Sequence, residues 1–264
     1  MVIDFKLPAH PQKLIQLSTL LSRSDVNLSD VGDLIAEDMA LAAAVMKAVS
    51  SPLYGLKGRV HSVQQAVTYL GMREIAAISY ESGLRAAFPQ VPALLTMWER
   101  SRMRGVLMGR IAQALSMEAW SAHTAGLFEE CGKAVLYAQV PDTYGPWLAA
   151  VGDDDLALVE REQQTLGINH AEVGARLCES WGLPAATVNC VRHHVTTQST
   201  WRLPPVSHRY VSVLSTLAHV LSHAPDRLDE AVGKIAPQAM MDQASLLRAM
   251  QKVRDKIEDT LAEA

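Results

Sequence analysis

Apolar positions along this chain recur mostly every three or four residues, the period of a helix face. Leu14, Leu17 and Leu21 share one such face, behind a His10-Pro11 pair that suits a helix start. Asn27, with Asp30 three residues on, predicts a capped helix carrying Val31, Leu34 and Ile35. Asp38 predicts the next cap, ahead of Ala42, Val45, Met46 and Val49, and Ser50-Ser51-Pro52 stops that helix. Ser62 and Gln65 read as a capping box for Val63, Ala66, Val67 and Leu70, closed by Gly71. A fifth helix is predicted from Met72 to Ala87.

Pro89 and Pro92 then interrupt the pattern. They divide a predicted N-terminal helical lobe, 1–90, from a second lobe, 91–223, with a C-terminal helical extension over 224–264. The second lobe opens with a long helix, Ala93 to Met117, followed by one from Ser121 to Gln139 that Pro141 ends. A short helix holds Tyr144, Trp147 and Leu148. Asp153-Asp154-Asp155 suits a helix start, where acids favour the macrodipole. Asn169 and Glu172 open a helix ended by Gly182, and Pro184 starts another that runs through Val188 and Val191 to His193-His194. Thr196 to Pro205 reads as a polar loop, and Ser207 to His223 as a helix. Leu246, Met250, Val253, Ile257 and Leu261 form a last apolar stripe. The Val211-Ser212-Val213-Leu214 alternation is too short to make a convincing strand, so the expected fold class is all-α.

Composition sharpens this. Of 264 residues, 49% are hydrophobic, 36 of them alanine, which favours closely packed helices. A net charge of only −4 excludes disorder of the charged type. No apolar run approaches the roughly 18 residues of a membrane span. Cys131, Cys178 and Cys190 form no Cys-x-x-Cys pair, and Met1 to Lys6 carries no secretory pattern, so a reducing cytoplasm is expected. The sequence pI near 6.1 argues against nucleic-acid binding by bulk charge. Of the scattered Arg100, Arg102, Arg104 and Arg110, those at 100, 104 and 110 share no clean helix face on this reading, and most are expected to be solvated. Trp98, Trp147 and Trp181 read as core anchors, and Cys131 as a core residue.

Two features carry candidate chemistry. His170, His193, His194 and His219 gather in the last third of the chain, and neutral imidazole is the commonest metal ligand. Glu129-Glu130 stands inside an otherwise apolar helix pattern. Neighbours on a helix point about 100° apart, so both acids cannot face one core in a continuous helix. Pro52-Leu53-Tyr54-Gly55 is a candidate recognition loop. No phosphate-binding Gly-rich loop, nucleophile elbow or His-Glu-x-x-His occurs.

The order of these segments resembles the HDOD family, the HD-related output domain of bacterial signalling proteins. The likeness runs from Leu7-Pro8 through Ile35 to Ala42, Ser50 to Gly55 and Val63 to Gly71. It continues in Ala125-Gly126-Leu127 and Gly132-Lys133. It is strongest in Leu166 to Gly174, Trp181-Gly182-Leu183-Pro184 and Val191-Arg192-His193-His194. Ser50 departs from the asparagine usual there. The resemblance implies an all-helical fold similar to HD-type metal-dependent phosphohydrolases, ordinarily without their catalysis. It places the enzymes' His-Asp pair at Glu129-Glu130, an earlier histidine near Arg100 and a later aspartate near His219. Arg100 has no lone pair and stays charged, so it repels a cation. His170, His193 and His194 resemble the extra histidines of the two-metal branch, and with Glu130 could compose a weak site. Two other readings stand beside that one: the histidines cap helix ends and bond backbone carbonyls, or Arg100 pairs with Glu129 or Glu130 in a reused polar cavity.

The expectation is therefore a non-enzymatic signalling or regulatory module with no cofactor and no catalytic residues. It would bind a signalling protein in trans, or a small ligand in a cavity between the lobes. No membrane contact is expected, and dimerisation through the tail helix is open. The competing expectation is a divergent metal-dependent phosphohydrolase acting on nucleotides or cyclic dinucleotides.

Overall fold

The computed structural model describes residues 6–21, 23, 25–51, 54, 56–207 and 209–262, with side chains except at position 18 and from 256 onward. Every regular element among the described residues is helical, so the fold is all-α as predicted. No described helix is long and apolar enough to cross a membrane. The chain forms two compact units, residues 9–87 with 254–264 and residues 1–8 with 88–253.

The smaller unit holds α1 (Gln12–Leu21), α2 (Leu28–Ala36), α3 (Met39–Val49), α4 (Val63–Leu70) and α5 (Met72–Ala86). Its helices start where the capping signals lie. The Asn27 side chain accepts from the Asp30 amide at 3.0 Å, and Asp30 returns the bond to the Asn27 amide at 3.1 Å. Asp38 accepts from the amides of Ala40 and Leu41. Ser62 caps α4, but Gln65 reaches back one residue further than a capping box requires, to the His61 amide at 2.7 Å. Leu14, Leu17, Val31, Ile35, Val45 and Ile75 fill the core. At the departure from the family pattern, the Ser50 hydroxyl donates to the Met46 carbonyl and closes α3. In the candidate recognition loop, Pro52, Leu53 and Gly55 lie outside the described residues. Tyr54 donates its hydroxyl to Glu74 at 2.7 Å.

The larger unit holds α6 (Pro92–Ala114), α7 (Ala119–Phe128), α8 (Cys131–Gln139), α9 (Pro141–Val151), α10 (Asp155–Leu166), α11 (His170–Ser180), α12 (Ala185–Thr200), α13 (Tyr210–His223), a 3-10 turn (Pro225–Arg227) and α14 (Leu228–Ala239). α15 (Gln243–Ala262) follows and belongs to this unit as far as Val253. Trp98, Trp147, Trp181 and Cys131 are all buried, as expected of core residues.

Three predicted elements differ. The helix expected over Ser121 to Gln139 is two helices, broken at Glu129 and Glu130. Of the loop expected over Thr196 to Pro205, residues 201–205 are irregular as predicted, but 196–200 are the last turn of α12, because Thr197 and Gln198 bury their side chains and Ser199 and Thr200 back-bond to carbonyls one turn earlier. The pattern gave no separate helix between His223 and Asp242. There α14 forms by burying Ala231, Val232, Ile235 and Ala236, despite Pro237.

Two close approaches position the site. A Cβ at Gly126 would lie 2.7 Å from the Cα of Gly105, so α7 meets α6 at backbone contact. A Cβ at Gly132 would lie 1.9 Å from the carbonyl oxygen of His170, so only glycine lets α8 seat against α11.

Candidate functional site: a buried charge network beside two open imidazoles

α6 carries Arg100 and Arg104 one turn apart, and both reach the break between α7 and α8. That break resolves the geometric conflict of adjacent acids. Because the helix ends at Phe128 and restarts at Cys131, Glu129 and Glu130 both turn inward, 0% and 1% exposed. Arg104 donates to Glu129 at 2.8 Å and lies 3.8 Å from Glu130. Gln198 and the Cys190 thiol complete the shell of Glu129, at 3.1 Å and 3.6 Å. Arg100 donates to Glu130 at 2.9 Å and to Asp153. Lys133, one turn after Glu130, is 1% exposed and bridges Glu130 at 3.0 Å to Asp155 at 2.6 Å.

These contacts set the charge states. Burial alone would raise the Glu130 carboxyl, but the charges of Lys133, Arg104 and Arg100 outweigh it and hold it at about 2. Burial also opposes the charge of Asp155, yet Lys133 and the nearby imidazoles bring its carboxyl below the ordinary range. Burial, then the Glu129 charge, pushes the Cys190 thiol well up.

A second cluster adjoins this one. His170 is the first residue of α11, capped by Asn169. Its amide donates to Glu162 at 2.8 Å, and its ring Nδ1 sits 2.9 and 3.0 Å from the two oxygens of that carboxylate. Tyr144 donates its hydroxyl to the same group. His194, on α12, places Nδ1 2.7 Å from the Val191 carbonyl. The Val191 carbonyl can only accept, so His194 carries a proton on Nδ1, and the two Glu162 oxygens beside Nδ1 of His170 suit a donor there as well. Both Nε2 atoms are buried without a hydrogen-bond partner. Burial keeps His194 neutral by pushing its pKa down. The two rings are 5.5 Å apart, centroid to centroid.

A cleft of roughly 420 Å³ opens beside both clusters, lined by Asp153, Asp154, Asp155, Val195, Gln198 and His219 among others. His219 stacks on His223 with centroids 4.4 Å apart, and burial, with Arg104 and His223 adding to it, pushes its pKa to about 4.

Of the residues singled out from the sequence, Arg100, Glu129 and Glu130 meet in the ion-pair network, and His170 and His194 meet beside it. His219 lines the adjoining cleft. His193 stands apart: it is partly exposed, next to His194 on α12, and the charges acting on it are those of Arg192 and Glu172. Arg104 corrects the expectation of solvated arginines. Arg100 and Arg104 are four residues apart and do share a face, and Arg104 is 7% exposed. Arg104, Asp155, Glu162 and Tyr144 were missed, and Lys133 was noted only as part of a motif. The i,i+4 arginines and the i,i+3 Glu130/Lys133 pair were readable signals. Glu162 lies within Glu160-Arg161-Glu162-Gln163-Gln164, which has the pattern of a solvated face, and nothing local marks it as buried.

Arg100, Glu129 and Glu130, where the resemblance would place the HD enzymes' first histidine and His-Asp pair, do not fit a metal here. Their carboxylates are already neutralised by two guanidiniums and an ammonium, which compete directly with a cation.

The HDOD domain model matches residues 7–197. An uncharacterized protein of Treponema pallidum (strain Nichols) is 25% identical over 215 residues, covering 80% of this chain and 41% of the relative. The chain thus spans about two fifths of the length of that curated relative. An HDOD domain protein of unknown function from Geobacter sulfurreducens superposes with a TM-score of 0.76 at 20% identity, over 97% of this chain and 92% of its own. A protein from Marinobacter aquaeolei VT8, named as a candidate signal transduction protein, gives 0.76 at 21% identity, over 97% and 59%. At such identities the structural likeness speaks for the fold alone. The family rests on the match over 7–197 of 264 residues, and on that match the chain belongs to the HDOD domain family.

Proposed function

We propose that this chain is a non-enzymatic regulatory module that works by binding a signalling protein in trans. The observation that carries this reading is the pairing of Arg104 with Glu129 and of Arg100 and Lys133 with Glu130. A hydrolytic HD site needs a metal to generate hydroxide and to steady phosphate oxygens. Here fixed cations that cannot generate a nucleophile stand in its place. The name of the Marinobacter aquaeolei relative, a candidate signal transduction protein, agrees with this reading.

The competing reading, a divergent phosphohydrolase, makes a distinct prediction. Purified protein is incubated with nucleotides and cyclic dinucleotides in Mn²⁺. No turnover is expected; turnover that Arg104→His raises and Glu130→Gln abolishes would replace the binding-module reading. Affinity capture from the native cell, followed by titration of the recovered partner against purified protein, is expected to give saturable binding without product formation.

A further inference from the structure

We infer that Asp155, His170 and His194 form a binding site for one divalent first-row transition ion of the zinc class, adjoining the ion-pair network through Asp155. Their ligand atoms lie within 4.8 Å of one another, the one such trio among the described residues. Two imidazoles and a carboxylate make a three-ligand set that leaves a coordination position open.

The supporting shell is already built. The Glu162 carboxylate holds Nδ1 of His170, and the Val191 carbonyl holds Nδ1 of His194. That is the arrangement by which metal-bound histidines are oriented and made more basic. The two unpartnered Nε2 atoms are the strongest sign. His170 and His194 are 0% and 1% exposed, and a buried polar atom left unpaired is costly. An ion between them removes both penalties. Asp155 also lines the cleft, which gives the ion a route in.

This trio differs from the set the sequence suggested. Glu130 is consumed by Lys133 and the arginines, His193 points elsewhere, and Asp155 takes the place of both. Lys133 sits 2.6 Å from one oxygen of Asp155, so the ion competes with an ammonium for that carboxylate. A signed consequence follows: removing the ammonium strengthens binding, whereas removing the carboxylate weakens it.

The test is calorimetric titration of the metal-stripped full chain with Zn²⁺ alone, with Co²⁺ absorption as a second readout of nitrogen ligation. Wild-type protein is expected to take up one ion per chain. Asp155→Asn should weaken binding about tenfold or more, and His194→Ala should abolish the Co²⁺ signal. Lys133→Met should tighten binding several-fold, and His193→Ala should leave it unchanged. Circular dichroism confirms that each variant is folded. If His194→Ala does not fold, Asp155→Asn, at the more exposed start of α10, decides the matter. Failure of the wild type to saturate at one ion overturns the site, as does equal affinity in wild type and Asp155→Asn. Metal binding and phosphodiester turnover are read separately, so the outcome here does not depend on the outcome for the binding-module reading.

Discussion

On the α6–α7 side of the polar centre, Arg100, Arg104 and Lys133 pair with Glu129 and Glu130. On the α10–α12 side, Glu162 and the Val191 carbonyl each take one nitrogen of an imidazole and leave the other bare. Both sides bury polar groups in the same unit, a few residues apart. In the first each charge faces an opposite charge, and Gln198 and Cys190 fill out the shell of Glu129, while one oxygen of Glu130 has no hydrogen bond. The second has its orienting bonds made and both outward ring nitrogens unpartnered. Fixed cations beside a buried carboxylate compete with any further cation; imidazoles held by one nitrogen leave the other available.

The largest expected effect comes from breaking the closed side. Arg104→Met leaves Glu129 buried without its guanidinium, and a loss of about 3–5 kcal/mol in urea unfolding is expected. Arg104→Met with Glu129→Leu should recover most of that loss, because it removes both charges together.

Gly132→Ala tests the seam between the two sides. Its Cβ would fall on the His170 carbonyl, so α8 and α11 must separate, at a cost of about 3 kcal/mol, the upper end for overpacking. Co²⁺ binding should fall with stability, since the same shift moves His170.

Acid should separate the sides in order. His219 lies near 4 in the folded chain against its ordinary 6.5, so between those values the unfolded chain binds the extra proton. Stability therefore falls as pH drops from 6.5 towards 4, by on the order of 2 kcal/mol after allowing for partial solvent screening. Glu130, near 2 against 4.5, works in the same sense at lower pH: its contribution is whole above 4.5 and is lost as pH falls towards 2. Urea midpoints measured against pH should show the first loss flattened in His219→Gln and the second retained.

The smallest effect is expected at the rim. Arg100 is 25% exposed, and Lys133 and Arg104 still face Glu130 without it, so Arg100→Ala should cost less than about 1 kcal/mol. An effect as large as that of Arg104→Met would show that the network is not graded by burial.

Most helices were legible because their signals are local. Asn27, Asp38, Ser62 and Asn169 cap the amides the sequence offers them, and apolar residues at helical spacing lie inside. What was not legible depended on partners distant in the chain. Thr197 and Gln198 look like a loop until their burial is known, and Glu162 looks solvated until His170 and Tyr144 face it. The site was half readable. Glu129-Glu130 was conspicuous as a local oddity, but a continuous helix could not turn both acids inward, and only the break after Phe128 does so.

The sequence by itself determined the all-helical class and the cap positions, which follow from short-range geometry and residue chemistry, and it carried the resemblance to the family. Only the tertiary structure decided which cation meets which carboxylate, that Asp155 joins His170 and His194, and that His193 does not. Ion pairs and ligand sets are properties of distance between groups on different helices, and the backbone contacts at Gly126 and Gly132 set those distances.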